Sequence, residues 1–170
     1  IKNELGAISK SKLVLEYGCS IGILGSFLAD SNQNVFGIDR SFSAISIAKK
    51  TQKDNLDYFV ADLMSDVFGK TKFDLILALN VLELVEPKDL LQHVSKQILK
   101  GNFVISDPYD FDRGKNSVKK LDELALRASL DELGFAITVK TKKPSYLTWN
   151  LKLNPRTTLN YKVDLIIAKK

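Results

Sequence analysis

Short apolar runs alternate along the chain with stretches whose apolar residues recur at helical spacing, and this alternation constrains the fold most. Short apolar runs that end at glycine or an acidic residue are typical of buried strands in a parallel sheet. Seven runs predict strands, at residues 12–17, 34–39, 56–61, 73–79, 102–106, 135–140 and 159–168. Helices are predicted over 21–29, 41–48 (with Ser41 as N-cap), 87–100 and 118–133, and a long loop over 144–155.

Strands that alternate with helices form a parallel sheet covered on both faces, with right-handed connections. No helix is predicted between the last two strands, so these two should pair antiparallel at one edge. We therefore predict an α/β fold: a doubly wound, mostly parallel, seven-stranded sheet (Rossmann-like) with an antiparallel C-terminal edge hairpin. We expect a single domain over residues 1–170 and, because the chain begins at Ile1, additional N-terminal sequence in the natural protein.

Composition narrows the possible function classes. Hydrophobic residues make up 45% of the chain and charged residues 26%, which is typical of a globular protein rather than a disordered tail. The single cysteine, Cys19, excludes a disulfide framework, and the single histidine, His93, excludes a two-imidazole metal site, so we expect no metal. No apolar run reaches the ~20 residues of a membrane span and no signal peptide is visible, so we expect a cytoplasmic protein without a membrane partner.

The net charge of +5 is unevenly distributed. Residues 140–170 carry eight Lys and Arg residues against one acidic residue, Asp164, whereas residues 1–139 are slightly acidic. A basic segment can contact nucleic acid or an anionic substrate, although such segments are more often a solvated edge. We interpret this segment as an exposed edge and keep nucleic-acid contact as the alternative.

The first strand-to-helix connection, residues 16–22 (EYGCSIG), is the leading candidate for a binding site. Ligands of open parallel sheets bind outside the carboxyl ends of the strands. Gly18 and Gly22 allow a sharp turn and the close approach of a ligand. Asp39 ends the second strand, 21 residues after Gly18, where an acid can bind ribose hydroxyls, and Asp62 ends the third, within reach of an adenine amino group. Taken singly, each acid is better explained as a helix cap or a loop end, but acids at three successive strand ends, Glu16, Asp39 and Asp62, favour a binding site.

Two common nucleotide-binding motifs are absent from the sequence. A dinucleotide fingerprint needs glycine at the first, third and sixth positions from Gly18, but Ser20 and Ile23 occupy the last two. The Gly-Lys-Thr at residues 69–71 has no glycine five residues before Gly69 and precedes a strand, so it is not a phosphate-binding loop. The acidic Glu16 suits a cationic ligand better than a pyrophosphate. An adenosine that carries a positive charge and no phosphate is S-adenosylmethionine.

The chain resembles the class I S-adenosylmethionine-dependent methyltransferases over nearly its whole length. Their first motif, acid-x-Gly-x-Gly-x-Gly, is matched at Glu16, Gly18 and Gly22, with Ser20 in place of the middle glycine. The resemblance also assigns the ribose acid to Asp39 and the residues that flank the methionine part of the cofactor to Asn80 and Val81. It implies a site formed by Glu16, Tyr17, Gly18, Cys19, Ser20, Gly22, Asp39, Arg40, Asp62, Leu63, Asn80 and Val81.

The acceptor site is expected at residues 106–111 (SDPYDF), which follow the fifth strand. Asp107 and Tyr109 combine a carboxylate with an aromatic ring, a pair that can bind a cationic or imidazole-like acceptor. Trp149, in the loop near the end, is the third candidate. This arrangement is loosely similar to small methyltransferases that act on mercaptohistidine and related imidazoles. A packed proline-containing loop explains the same residues equally well.

The sequence identifies no catalytic residue, because methyl transfer mainly requires positioning of the nucleophile. We interpret His93 as a helix-surface residue and Cys19 as a small space-filling residue. Our leading hypothesis is transfer of a methyl group to a small-molecule acceptor, such as a nitrogen of an imidazole or amine. An RNA or protein methyltransferase that uses the basic segment, and a non-catalytic module that binds S-adenosylmethionine, are the alternatives.

Overall fold

The computed structural model describes residues 2–5, 8, 10–112 and 114–170. The strands of the described chain are β1 (Leu13–Tyr17), β2 (Asn34–Asp39), β3 (Leu56–Val60), β4 (Leu75–Leu79), β5 (Asn102–Asp107), β6 (Ala136–Ile137), β7 (Leu147–Asn154) and β8 (Thr157–Lys169). The α-helices are α1 (Lys2–Leu5), α2 (Ile23–Ala29), α3 (Phe42–Ala48), α4 (Pro87–Gln97) and α5 (Glu123–Glu132). Single 3-10 turns occur at Lys49–Thr51, Leu82–Leu84, Gly114–Asn116 and Val139–Thr141.

The strands form one mixed sheet in the order β3-β2-β1-β4-β5-β8-β6, and β7 pairs with β8 alone. The pairings from β3 across to β5 are parallel, whereas β8 runs antiparallel to β5, β6 and β7. The predicted doubly wound, mostly parallel sheet with antiparallel C-terminal strands is therefore confirmed. Because the order reverses between β1 and β4, the carboxyl ends of these strands flank a crevice, which is where ligands of such sheets bind.

Two apolar layers hold the sheet. On one face, Leu15, Ile76 and Ile105 pack against residues of α4 and α5, including Leu90 and Leu126. On the other face, the residues that pack together include Val14, Val35, Leu77, Leu28 of α2 and Ile45 of α3. The N-cap of α3 is Ser41, as predicted, and its hydroxyl accepts the Ala44 N–H at 3.2 Å.

The C-terminal third differs from the prediction in three elements. The predicted loop over 144–155 contains β7, which forms a two-stranded hairpin with the first half of β8. The predicted strand over 135–140 is reduced to β6 and continues as a 3-10 turn at Val139–Thr141. Helix α5 begins at Glu123 instead of residue 118, because the carboxylate of Asp122 accepts the N–H groups of Leu124 and Ala125 and caps the helix there.

Candidate active site

Two adjoining cavities open at the carboxyl ends of the parallel strands. The smaller one, which we call the turn cavity, has a volume of about 90 Å³ and is lined by Gly18, Asp39, Arg40, Asp62, Leu63, Val81, Leu84 and Val85. The larger one, the hairpin cavity, has a volume of about 580 Å³ and is lined by Asn80, Glu83, Leu84, Pro108, Asp110, Trp149 and Tyr161. Because Leu84 lines both, molecules bound in the two cavities would lie next to each other.

The turn between β1 and α2 is built from residues in left-handed conformations. Gly18 has φ +66°, and a Cβ there would collide with the side chain of Val81. Gly22 has φ +81°, and a Cβ there would meet the Tyr58 hydroxyl. Ser20 also has a positive φ, of 49°, where a side chain is strained. The two glycines are therefore required by the fold of the turn itself, whether or not a ligand touches them.

Asp39 connects this turn to the next one along the sheet edge. One carboxylate oxygen accepts the Ser20 N–H at 2.9 Å, and the other accepts the Ser41 N–H at 2.8 Å. The side chain is half-buried and lines the turn cavity. A carboxylate has about four acceptor positions, so two remain after these contacts. Asp39 can therefore hold both turns in place and still accept hydrogen bonds from a ligand.

Residues that follow the third strand also line the turn cavity. Asp62 accepts the Met64 N–H at 2.8 Å, which fixes its carboxylate above the loop after β3. Leu63 is buried and lines the cavity, and Arg40 is exposed at its rim. The structure thus brings Gly18, Asp39, Arg40, Asp62, Leu63 and Val81, all predicted from the sequence, to one cavity.

Three other residues of the predicted cofactor site, Glu16 and Tyr17 at the end of β1 and Cys19 within the turn, have buried side chains. Glu16 faces α2 near Gly25, its Oε2 atom has no hydrogen-bond partner among the described residues, and burial raises its pKa to about 8. The Tyr17 hydroxyl donates to Gln97 within the core. The Cys19 thiol packs in the apolar layer on the face of α2 and α3, and burial raises its pKa well above its ordinary value. Tyr17 and Cys19 can therefore offer a ligand only their backbone atoms.

Asn80 and Val81 face different cavities. Asn80 has φ +55°, its N–H donates to the Ser106 carbonyl at 2.7 Å, and its Oδ1 atom is buried without a hydrogen-bond partner among the described residues. It lines the hairpin cavity, whereas Val81 lines the turn cavity. These neighbouring residues therefore mark the boundary between the two cavities, close to Leu84.

The β7–β8 hairpin forms the outer wall of the hairpin cavity. The rings of Trp149 and Tyr161 are stacked, with centroids 5.1 Å apart and planes inclined by 28°. Both line the cavity. Trp149, predicted to lie on the acceptor side, therefore presents an aromatic surface to the larger cavity.

The hairpin has one apolar and one polar face, since side chains alternate along each strand. Paired positions of the apolar face are Leu147 with Val163, Trp149 with Tyr161 and Leu151 with Leu159. Paired positions of the polar face are Thr148 with Lys162, Asn150 with Asn160 and Lys152 with Thr158. The cavity is on the apolar side, so these lysines of the basic C-terminal segment point away from it.

Asp107 and Tyr109, also predicted for the acceptor side, are absent from the cavity wall. Asp107 is buried, and its two oxygens accept the Leu82 N–H at 3.1 Å and the Tyr109 N–H at 2.8 Å. The Tyr109 hydroxyl donates to Asp164 at 2.8 Å. Their neighbours Pro108 and Asp110 line the cavity instead. The loop is therefore at the expected place, with Asp107 and Tyr109 acting as its internal supports.

Several residues around the site escaped the sequence reasoning. Arg127 forms two hydrogen bonds with Asp164, at 2.6 and 3.0 Å, and both residues are buried. A signal existed for Asp164, which is an acid inside an otherwise apolar strand. None existed for Arg127, which looks like an ordinary charged helix residue. Glu83 and Tyr161 were likewise not recognised as cavity residues.

Within the described chain, no group of three or more His, Cys, Asp and Glu residues is arranged to hold a metal ion. No α-helix of the described ranges combines the length and hydrophobicity of a membrane span.

Comparisons with known proteins identify a family. A family model described as a methyltransferase domain matches residues 14–100, half of the chain. The chain is 34% identical over 101 residues to the ubiquinone biosynthesis O-methyltransferase of Pelagibacter ubique, an alignment covering 56% of this chain and 41% of the relative. The corresponding protein of Coxiella burnetii is 32% identical over 96 residues, covering 54% and 41%. The chain thus spans about two fifths of the length of these curated relatives.

Solved structures share the fold at low sequence identity. Magnesium protoporphyrin IX methyltransferase from Synechocystis PCC 6803, crystallised with bound SAM, has a TM-score of 0.68 and 20% identity, covering 99% of this chain and 74% of that one. The N-methyltransferase NodS from Bradyrhizobium japonicum WM9 has a TM-score of 0.72 and 18% identity, covering 98% and 89%. Given a methyltransferase family model over half of its length and this sheet order, the chain belongs to the class I S-adenosylmethionine-dependent methyltransferases.

Proposed function

We propose that this chain binds S-adenosylmethionine with its nucleoside at the open turn cavity and its methionine part toward Asn80, and transfers the methyl group to a small molecule held in the rest of the hairpin cavity. The observation that carries the proposal is the junction of the two cavities at Leu84, which would place a donor and an acceptor side by side. Family membership supports the choice of cofactor. We also propose that residues 1–170 form one methyltransferase domain and that the protein is cytoplasmic.

The turn cavity suits a cationic nucleoside. We assign the ribose hydroxyls to Asp39, whose carboxylate retains free acceptor positions, and the adenine side to Asp62 and Leu63. The backbone of the 16–22 turn, with Asn80 and Val81, would flank the methionine part. The acids at this edge favour a positive ligand. When bound, the cofactor supplies an electrophilic methyl group on a sulfonium.

We favour a hydroxyl as the acceptor group. The two curated relatives described above are ubiquinone biosynthesis O-methyltransferases, which supports an oxygen nucleophile. A second candidate, an amine or imidazole nitrogen, is supported by the acids Glu83 and Asp110 in the cavity wall, since carboxylates attract a cationic acceptor. Both candidates are compact molecules with a polar atom that can act as the nucleophile.

A nucleic-acid acceptor is less well supported. Lys152 and Lys162 lie on the hairpin face opposite Trp149, so a polymer bound to them would not reach the hairpin cavity directly. Binding of tRNA that weakens steeply with salt and accelerates cofactor turnover would favour this alternative.

The proposed function is tested by binding and transfer assays on the purified chain. Calorimetry with S-adenosylhomocysteine should give saturable one-to-one binding, and Asp131→Asn, at an exposed position of α5, should leave it unchanged. Radiolabelled S-adenosylmethionine should then label a phenol or an arylamine probe. Absence of S-adenosylhomocysteine binding would contradict the proposal, and binding without transfer to any acceptor would indicate a non-catalytic module.

A further inference from the structure

Two carboxyl groups meet at the wall of the hairpin cavity. Glu83 lines the cavity but is only 7% exposed, and its carboxyl group is within hydrogen-bonding reach of that of Asp107, which is 1% exposed. They come from different elements, since Glu83 lies in the 3-10 turn after β4 and Asp107 ends β5. The topology thus brings together two acids that are distant in the sequence.

The backbone holds Asp107 rigidly in this pair. Its oxygens accept the N–H groups of Leu82, next to Glu83, and Tyr109, at 3.1 and 2.8 Å. These bonds fix the carboxyl group at the base of the loop that carries Pro108 and Asp110 into the cavity wall. Asp107 is therefore placed to orient Glu83 rather than to touch a ligand itself.

The surroundings of Asp107 favour its protonated form. Burial, with the hydrogen bond and charge of Glu83, raises the pKa of Asp107 to about 8, because two adjacent buried carboxylates repel each other. The backbone N–H groups of Tyr109 and Leu82 act in the opposite direction. The nearby guanidinium of Arg127 is directed at Asp164, with both of its terminal nitrogens bonded to that carboxylate. A protonated Asp107 can donate a hydrogen bond to the Glu83 carboxyl group and so orient it.

We propose that Glu83 is the catalytic base of the reaction and that Asp107 is its positioning residue. The inference rests on the proposed function and specifies its acceptor: an aromatic molecule whose hydroxyl or amino group still carries its proton at neutral pH. In the step, the acceptor oxygen or nitrogen forms a bond to the methyl carbon, and the carbon–sulfur bond of the sulfonium breaks. The proton of the acceptor passes to the Glu83 carboxylate, and neutral S-adenosylhomocysteine remains.

The other wall of the cavity explains the preference for an aromatic acceptor. Trp149 is 38% exposed and stacked on Tyr161, so one broad aromatic surface is available to a ring. A volume of about 580 Å³ lies within the usual range for small-molecule pockets. A ring that packs on Trp149 would share the cavity with Glu83, which also lines it.

The test compares two probes that differ in their need for a base. Phenol, with a pKa of about 10, keeps its proton at pH 7, whereas the more acidic thiophenol is largely ionised. In the full chain, Glu83→Gln should reduce methylation of phenol by about 10²–10⁴-fold and that of thiophenol by less than about threefold. Glu86→Gln, a matched change at an exposed position three residues away, should leave both rates unchanged.

Each outcome bears on a specific claim. Phenol methylation in Glu83→Gln that is weak at pH 7 but rises with pH as phenol ionises would support the assignment, as would a shifted pH profile in Asp107→Asn. Equal loss with both probes, despite normal S-adenosylhomocysteine binding and thermal stability, would overturn the role of Glu83 as base. Wild-type protein that binds S-adenosylhomocysteine but methylates neither probe would overturn the proposed acceptor class, whereas failure to bind it would contradict the proposed function.

Discussion

Asp107 and Asp164 face each other as a directly paired position of β5 and β8, yet their carboxyl groups have opposite charge preferences. Burial opposes the ionisation of Asp164, but hydrogen bonds led by that of Arg127 hold its pKa below its ordinary value. Burial and the neighbouring Glu83 raise the pKa of Asp107. Tyr109 binds both, through its backbone N–H and its hydroxyl. The site thus rests on one neutral and one ionised acid in adjacent positions.

Loss of the Arg127 side chain should destabilise the protein strongly. In Arg127→Met, Asp164 would stay buried without its counter-charge, which should lower the free energy of unfolding by about 3–5 kcal/mol. Urea unfolding at pH 7 measures this change. The double variant Arg127→Met/Asp164→Leu should recover much of the loss. A double variant as unstable as the single one would attribute the loss to the other hydrogen bonds of the two residues instead. These join Arg127 to the Thr141 and Lys142 carbonyls, and the Tyr109 hydroxyl and Ser145 N–H to Asp164.

Glu16 should make the protein less stable as pH rises. Its pKa is raised by burial from 4.5 to about 8, so the folded state binds a proton that the unfolded chain releases. The stabilising contribution of the protonated Glu16 side chain is therefore fully present below about pH 4.5 and is lost progressively up to about pH 8. Glu16→Gln should flatten this dependence and be more stable than wild type at pH 8, by on the order of 2–4 kcal/mol. Chemical unfolding from pH 5 to 8 tests this, and parallel curves for the two proteins would contradict it.

Ser20 should tolerate replacement by the family's usual glycine with a gain in stability. Its φ of 49° is strained for a residue with a side chain, so Ser20→Gly should stabilise the fold by about 1 kcal/mol. Ser46→Gly, the same change within α3, should instead destabilise it by about 0.5 kcal/mol. Thermal unfolding of the two variants should therefore shift in opposite directions. A loss of stability in Ser20→Gly would show that Ser20 adopts its left-handed conformation without strain.

Asp39 should contribute directly to cofactor affinity. Asp39→Asn keeps an acceptor for one turn N–H but removes the charge, and we expect a loss of about 1.5–3 kcal/mol in S-adenosylhomocysteine binding, the range of a hydrogen bond to a charged group. Isothermal calorimetry measures the affinity, and thermal unfolding reports any loosening of the turns at Ser20 and Ser41. Unchanged affinity in a folded variant would place the ribose elsewhere.

Trp149 should determine acceptor binding without affecting the cofactor. Trp149→Ala removes the aromatic wall, so KM for the phenol probe should rise at least tenfold, about 1.4 kcal/mol. S-adenosylhomocysteine affinity should stay within twofold. Charge reversal of Lys152 and Lys162, on the opposite face, is the matched control and should leave KM unchanged. Sensitivity to the lysines with indifference to Trp149 would favour an anionic polymer as acceptor.

The sequence was sufficient for the parallel half of the fold because its strands are continuous apolar runs. β1 and β4 are buried on both faces, so their composition indicates strands without knowledge of their partners. Strand β7 was missed although Leu147, Trp149, Leu151 and Leu153 alternate along it. The prolines on either side suggested a loop, and its exposed residues gave little sign of burial.

Site residues could be predicted from the sequence where the sheet topology alone fixes their position. They could not be predicted where contacts between side chains determine which residues meet. Asp39 and Asp62 end neighbouring parallel strands, which places both at one edge whatever surrounds them. The pairing of Arg127 with Asp164 joins residues 37 positions apart and depends on how α5 lies against β8. For the same reason, the sequence located the loop that contains Asp107 and Tyr109 but not the direction of their side chains.

Strand β8 is a single continuous element that changes environment halfway along its length. Val163 to Ala168 are buried in the sheet, while Thr157 to Asn160 are exposed in the hairpin. Substitutions at the exposed end disturb few packed neighbours and should therefore be nearly free of thermodynamic penalty. The buried end holds the same strand in place through its pairing with β5. The hairpin can therefore be altered while the buried half of the strand, and the sheet that it completes, stay as they are. If the hairpin cavity holds the acceptor, as we propose, the exposed end is the place to begin laboratory evolution of new specificities.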